Sequence, residues 1–269
     1  MATRSATLNV MIQAANKAAR TLKRDFGEVE NLQVSRKGPA DFVSAADLKA
    51  EKTLRQELAK ARPGYGFLLE ESGPVAGAPG ESRRWIVDPL DGTTNFLHGL
   101  PHFAISIALE DAGELVAAVV LDPIKDDLFY AEKGKGAYLH DRRIRTSGRQ
   151  HLSNALIATG VPFKGREIDP ALSGELAAIM TETAGLRRWG TASLDLAYVA
   201  AGRYEGFWER GLEPWDIAAG ILLVREAGGY VTGLDGRPVN LEDGSVLAAN
   251  DSLHGPLSRL LKRATAPAG

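Results

Sequence analysis

The chain has 269 residues, 44% of them apolar and 25% charged, the make-up of a globular protein able to bury a large core. Its 32 basic and 34 acidic residues leave a formal charge of -2, which argues against a surface that holds polyanions over its whole extent. Cysteine is absent, so disulfides, thiolate nucleophiles and Cys-ligated zinc or iron–sulfur centres are excluded.

Leu8, Met11, Ile12, Ala15, Ala19 and Leu22 recur at spacings of three and four, the stripe of an amphipathic helix ending near Gly27. A second helix is expected from Ser44. Its spacing to Asp47 is that of a capping box with Asp in place of Glu. That helix carries Leu48, Leu54, Leu58 and Ala61 and stops at Pro63-Gly64. The period then changes. Residues 66–69 and 85–87 are short apolar runs that lead into acidic residues. Residues 103–109, 115–121 and 128–131 read as consecutive strands, with turns at Asp111-Ala112-Gly113 and near Asp122-Pro123.

Beyond Gln150 a strand is expected at 155–159, helices at 171–183 and 194–201, and a strand at 204–208. A helix at 217–227 closes on Gly228-Gly229, a strand follows at 246–249, and a last helix runs from about 252 to 263 before a short tail. The mixture predicts a single α/β (α+β) unit over 5–264, in two halves of about 5–148 and 152–264. The longest stretch free of Lys, Arg, Asp and Glu, Gly92 to Leu109, contains Asn95, His98, Pro101 and His102, so no membrane span is expected. The N-terminal residues do not read as a secretory signal, and the expected compartment is the cytoplasm.

The glycine cradles of dinucleotide and P-loop proteins, the nucleophile elbow and the zinc helix are all missing from the sequence. His98 and His102 stand four apart, but Gly99 and Pro101 lie between them, so the spacing is not helical. The acidic residues are more telling. Glu70-Glu71 follows one predicted strand, Asp88 ends another, and Asp91 comes three residues later. Asp216 opens an otherwise apolar helix, and Asp47 opens another. Each has an ordinary reading alone: a solvated loop, a turn at Asp88–Gly92, or a charge favoured at a helix N-terminus. A single site explains all of them together. Carboxylates at buried strand ends are costly unless paired or holding a cation. The few basic residues nearby, Lys37, Arg83 and Arg84, do not suffice for pairing.

A cage of carboxylates and a backbone carbonyl, without Cys or His, suits Mg²⁺. Asp88 and Asp91 bracket two ions across a turn, with the Leu90 carbonyl between them. Gly92 lets backbone amides approach an anion, and Thr93 starts a helix whose N-terminus is a phosphate seat. Metal carboxylates beside a phosphate seat imply phosphoryl transfer to water.

The segment Trp85-Ile86-Val87-Asp88-Pro89-Leu90-Asp91-Gly92-Thr93-Thr94-Asn95-Phe96 resembles the first signature of the inositol monophosphatase family, and 215–229 resembles the second. Residues 41–47 and Glu70-Glu71-Ser72 are similar to the family's other acidic blocks, and 190–202 to its substrate-side segment. The order and spacing match nearly the whole chain, from about residue 5 to 264. The resemblance implies a layered αβαβα sandwich, a homodimer, and Mg²⁺-dependent hydrolysis of small polyol phosphates, with two or three ions per site and inhibition by Li⁺. It implies Glu70, Asp88 and the Leu90 carbonyl at a first metal, Asp88, Asp91 and Asp216 at a second, and Glu70 again beside a third. Gly92 and Thr93 would bind phosphate, with Thr93, oriented by Asp47, helping Glu70 and its metal activate water. Glu209, Gly190, Thr191, Ala192 and Arg187 would meet the sugar, with Asp91 and Asp216 beside it.

Glu213 stands three residues before Asp216 in the Glu-Pro-Trp-Asp run, where several animal members carry His. Inositol 1-phosphate is the substrate the resemblance implies. The rival on the same scaffold is histidinol phosphate or another small sugar or polyol phosphate. A third reading is a mainly regulatory protein of the transcription machinery or RNA, which the near-neutral charge does not favour.

Overall fold

In the computed structural model, residues 4–28, 34–38, 41–162 and 168–265 are described, those at 34–38 and 41–44 by backbone alone. Helix α1 (Ala6–Phe26) is capped by the Ser5 side chain, which accepts from the Leu8 amide. Its buried face holds the predicted stripe from Leu8 to Leu22. Strands β1 (Val34–Gly38) and β2 (Asp41–Ser44) form an antiparallel pair that leads into helix α2 (Ala45–Ala61). The expected Ser44 cap and the side chains of Lys37 and Asp41 lie outside the described residues. Leu48, expected on the apolar face of α2, is 53% exposed. Ala46, Ala50, Leu54 and Leu58 form the buried row at a spacing of four, and Leu48 falls on the opposite side.

An eight-stranded sheet follows in the order β10-β9-β8-β7-β6-β5-β3-β4. Its strands are β3 (Gly66–Leu69), β4 (Gly73–Val75), β5 (Arg83–Asp91), β6 (Ala104–Asp111), β7 (Glu114–Asp122), β8 (Asp127–Glu132), β9 (Gly136–Leu139) and β10 (Arg142–Ile144). Pairing is antiparallel except between β3 and β5. The short helix α3 (Thr93–Leu97) stands between β5 and β6. Ala112 and Gly113 both take positive φ in the turn joining β6 to β7, a conformation that matches the twist of a tight hairpin.

Period-two alternation places the sheet between two helical layers. Trp85, Val87, Ile107, Val119 and Tyr130 pack with α1 and α2, while Ile86, Ala108, Val120 and Phe129 point to the other side. There they meet helices α5 (Ala192–Ala200) and α6 (Pro214–Glu226). A five-stranded sheet covers those helices in turn, ordered β12-β11-β13-β15-β14. It contains β11 (Leu156–Thr159), β12 (Gly185–Arg187), β13 (Gly206–Glu209), β14 (Tyr230–Thr232) and β15 (Val246–Ala249). Ile157, Trp208 and Leu247 on its outer face pack in one core cluster with Ile179 of α4 (Ala171–Glu182) and Leu253 of α7 (Asp251–Thr265). The layers are therefore αβαβα, as expected. Every strand of the larger sheet precedes Gln150 and every strand of the smaller one follows it.

The middle layer explains why residues 217–224 carry no polar stripe. Both sides of α6 face apolar neighbours, and all eight of these residues are buried. Gly220 lets α5 approach closely, since a Cβ there would lie 2.5 Å from Leu196 Cβ. Two boundaries differ from expectation. Strand β5 does not end at Val87; its ladder with β6 resumes at Asp91 after an irregularity following Asp88. Helix α6 begins at Pro214, three residues early, because Pro fits a first helical turn. Among the described residues no helix is long and apolar enough to cross a membrane.

Candidate active site

Strand β5 lies between β6 and β3, so its apolar residues and the acids that follow them are drawn inside together. Asp88 and Asp91 are only 2% and 8% exposed. At Gly92 the chain turns with φ 94° and enters α3. Glycine is needed there twice over, since a Cβ would also sit 2.6 Å from Thr191 Oγ1.

A cavity of about 800 Å³ opens at this turn. Of the expected site residues, Glu70, Asp88, Leu90, Asp91 and Asp216 line it, with Gly92 and Thr93 at the α3 end. Gly190, Ala192 and Glu209 line it from the second half of the chain. A Cβ on Gly160 would lie 1.9 Å from Glu209 Oε1, so a residue without a side chain makes room for that carboxylate.

Three expected residues lie elsewhere. Asp47 is fully buried, with Oδ1 3.0 Å from Thr93 Oγ1. Thr191 is 1% exposed and donates to the His102 carbonyl over 3.1 Å. Arg187 sits exposed on β12, and its neighbour Arg188 lines the cavity in its place.

The electrostatics are those of crowded acids. Burial, and then the charges of Glu70, Asp91 and Asp216, hold the Asp88 carboxyl well above the usual range. Glu70 and Asp88 are also within hydrogen-bonding reach of each other. Two carboxylates bond to one another only with a proton or another cation between them. Burial pushes Asp91 up to about 7, against the lowering effect of Ser193. Both the amide and the hydroxyl of Ser193 donate to Asp91 Oδ2, at 2.8 and 2.5 Å. Asp88 Oδ1 accepts from the Leu90 amide at 2.9 Å, and Asp216 Oδ2 from the Glu213 amide at 2.8 Å. Each acid is thus turned toward a protein donor. Among the described residues no three His, Asp or Glu side chains close on one preformed cation position.

Ser193, Arg188 and Asp195 were not singled out by the sequence. Asp195, 1% exposed, is held well above the ordinary carboxyl range by burial, then by Glu209 and Asp91. The Ser193–Asp91 contact spans 102 residues, a separation from which no spacing rule reads a partner. It yields a prediction. Ser193→Ala removes a donor that favours ionised Asp91, so at limiting divalent cation the acid limb of the kcat/KM profile should lie at higher pH than in wild type. A pH–rate profile superposable on wild type would show that Asp91 does not govern that limb.

The sequence model of the inositol monophosphatase family matches residues 4–266. The chain is 58% identical over 260 residues to inositol-1-monophosphatase of Rhizobium meliloti, covering 97% of each. It is 46% identical over 246 residues to Nus factor SuhB of Pseudomonas aeruginosa, covering 90% of this chain and 91% of that one. Among solved structures, extragenic suppressor protein suhB from Bartonella henselae has a TM-score of 0.93 at 56% identity, over 96% of this chain and 99% of that one.

Proposed function

The chain belongs to the inositol monophosphatase family and is a phosphatase, and from that premise we propose that it hydrolyses inositol 1-phosphate to inositol and phosphate with Mg²⁺. The observation that carries the reading is Asp88, buried among three other acids and within hydrogen-bonding reach of Glu70. The donor set is all oxygen and suits a hard cation, which would replace the proton between Glu70 and Asp88. Glu70, Asp88 and the Leu90 carbonyl would hold one ion, and Asp88, Asp91 and Asp216 a second, with Glu70 beside any third. When bound, the ions supply a more acidic water and charge compensation for the phosphate and the leaving oxygen.

The chain's own groups do the rest. Gly92 and Thr93 line the cavity at the start of α3, and their amides would bind the phosphate there. Thr93 Oγ1 lies 3.0 Å from both Asp47 Oδ1 and the Leu90 carbonyl. A hydroxyl has one proton, so it donates to one of these at a time. A bond to Asp47 would leave the Leu90 carbonyl available to a cation and the Thr93 lone pairs available to orient water. Glu209, Gly190 and Ala192 line the cavity and would meet the polyol. Thr191 holds that segment through the His102 carbonyl without lining the cavity, and Arg187 lies exposed outside it.

The test is phosphate release from inositol 1-phosphate, histidinol phosphate and fructose 1,6-bisphosphate, with and without Mg²⁺. Release should depend on Mg²⁺ and favour inositol 1-phosphate by at least about tenfold in kcat/KM. Faster turnover of either competitor would reject the substrate. Ligating carboxylates must be ionised, so the apparent Mg²⁺ affinity should rise with pH through about 7, where Asp91 loses its proton. Inhibition by Li⁺ belongs to the same reading. So does a homodimer, for which light scattering should return twice 28.8 kDa.

The relative named Nus factor supports a second reading, in which the chain also joins a transcription complex. Co-migration with a purified elongation complex, retained by a catalytically dead variant, would support it. Failure to co-migrate would remove it.

A further inference from the structure

We infer that Asn95 is a positioning residue that sets selectivity for the alcohol half of the substrate, by tying the phosphate-side helix α3 to the substrate-side segment around Gly190. Asn95 Nδ2 donates to the carbonyls of His102 and Trp189, each at 2.8 Å. An amide nitrogen carries two hydrogens, so these two bonds use both. The 3.4 Å approach of the same nitrogen to Thr191 Oγ1 is then packing contact and not a third donation. Thr191 Oγ1 donates to the same His102 carbonyl at 3.1 Å. That carbonyl therefore has both lone pairs occupied, one by each half of the molecule.

The result is a clamp on both sides of Gly190. Trp189 is held by Asn95 before it, and Thr191 by His102 after it. Gly190 takes φ 76° between them. Gly190 and Ala192 line the cavity, as do Gly92 and Thr93 on the other side of the clamp. Two sequence segments 94 residues apart thus meet where the phosphate end of the cavity joins its polyol end. Asn95 itself lines the cavity, but both hydrogens of its amide are directed at backbone carbonyls, so its donors act through the segment they hold. An acid in its place would face two carbonyls with no proton to give, and alanine would leave one partner of each carbonyl missing.

The inference rests on the proposed polyol-phosphate reading, and the test separates the two. Asn95→Ala, Asn95→Asp and Asn95→Ser are compared with wild type on two esters. One is the polyol ester that wild type turns over best, and the other is p-nitrophenyl phosphate, whose leaving group has no ring hydroxyls. Loss of two donors predicts a fall of about thirtyfold in kcat/KM on the polyol ester for Ala and Asp, mainly through KM. On p-nitrophenyl phosphate the change should stay within about threefold. Ser, which keeps one donor, should fall between, and it decides the matter if Ala does not fold. An equal fall on both esters, or no fall on either, overturns the inference and leaves the functional reading standing. A wild type with no preference for any polyol ester rejects the functional reading, and this inference with it.

Discussion

Asp88→Asn is expected to lower kcat by on the order of a thousandfold or more while the protein stays folded. Asp88 is the one acid assigned to both ions, and the amide removes a charge without changing the shape. The same substitution has an opposite effect on stability without metal. Asp88 and Asp91 both ionise less readily folded than unfolded. Metal-free stability from these groups is therefore full below the ordinary carboxyl range of about 4, and is lost as the pH rises through about 7 for Asp91 and through the raised range of Asp88. Asparagine at 88 cannot ionise, so the metal-free variant should melt no lower than wild type at pH 8 and show a shallower fall with pH. Its rise in Tm on adding Mg²⁺ should shrink or vanish. Thermal melts at several pH values, with and without Mg²⁺, read all of this. Near-normal turnover, or an undiminished Mg²⁺ shift, would remove Asp88 from the centre of the site.

Gly220→Val should cost about 3 kcal/mol of stability and lower Tm by roughly 6–12 °C. The reason is the distance between α5 and α6. The new Cβ would meet Leu196 Cβ and Cδ1 at 2.5 Å and Cγ at 3.0 Å, and two further methyl groups add to that bulk. Leu196 Cδ1 can swing aside, but Cβ is fixed to its helix, so the helices must part. They are the central layer of the sandwich, and a shift there reaches both sheets. Alanine at 220 should lie between glycine and valine. A valine variant that melts with wild type would mean that the two helices are held less closely than this.

The repeat patterns of the sequence were legible wherever one side of an element faces the core. The stripe of α1 follows from burial of one face at the helical period, and the apolar runs of β6, β7 and α6 follow from burial on both faces. The strands β4, β9, β10, β12 and β14 were not legible. Each is three or four residues long and carries exposed or half-exposed side chains, too short a stretch for a period to emerge. Leu48 misled because hydrophobicity alone does not fix a helix face; its neighbours at a spacing of four do. The continuation of β5 through Asp91 was hidden by Pro89 and Asp91-Gly92, residues that favour turns. Tertiary pairing with β6 overrides that preference.

The candidate site divides the same way. The acidic blocks, the glycine at 92 and the hydroxyl at 93 are short-range features, and sequence alone placed each of them at the end of a strand or the start of a helix. Their partners are long-range. Asp47 reaches Thr93 across 46 residues, Asn95 reaches Trp189 across 94, and Ser193 reaches Asp91 across 102. Which arginine of the Arg187-Arg188 pair faces the cavity depends on how β12 ends and α5 begins. By itself the sequence determined which residue types were available and which elements would bear them, because backbone geometry and burial act over a few residues. Only the stacked sheets and helices decided which distant groups share a hydrogen bond or a field of charge, because that depends on the distance in space left after packing.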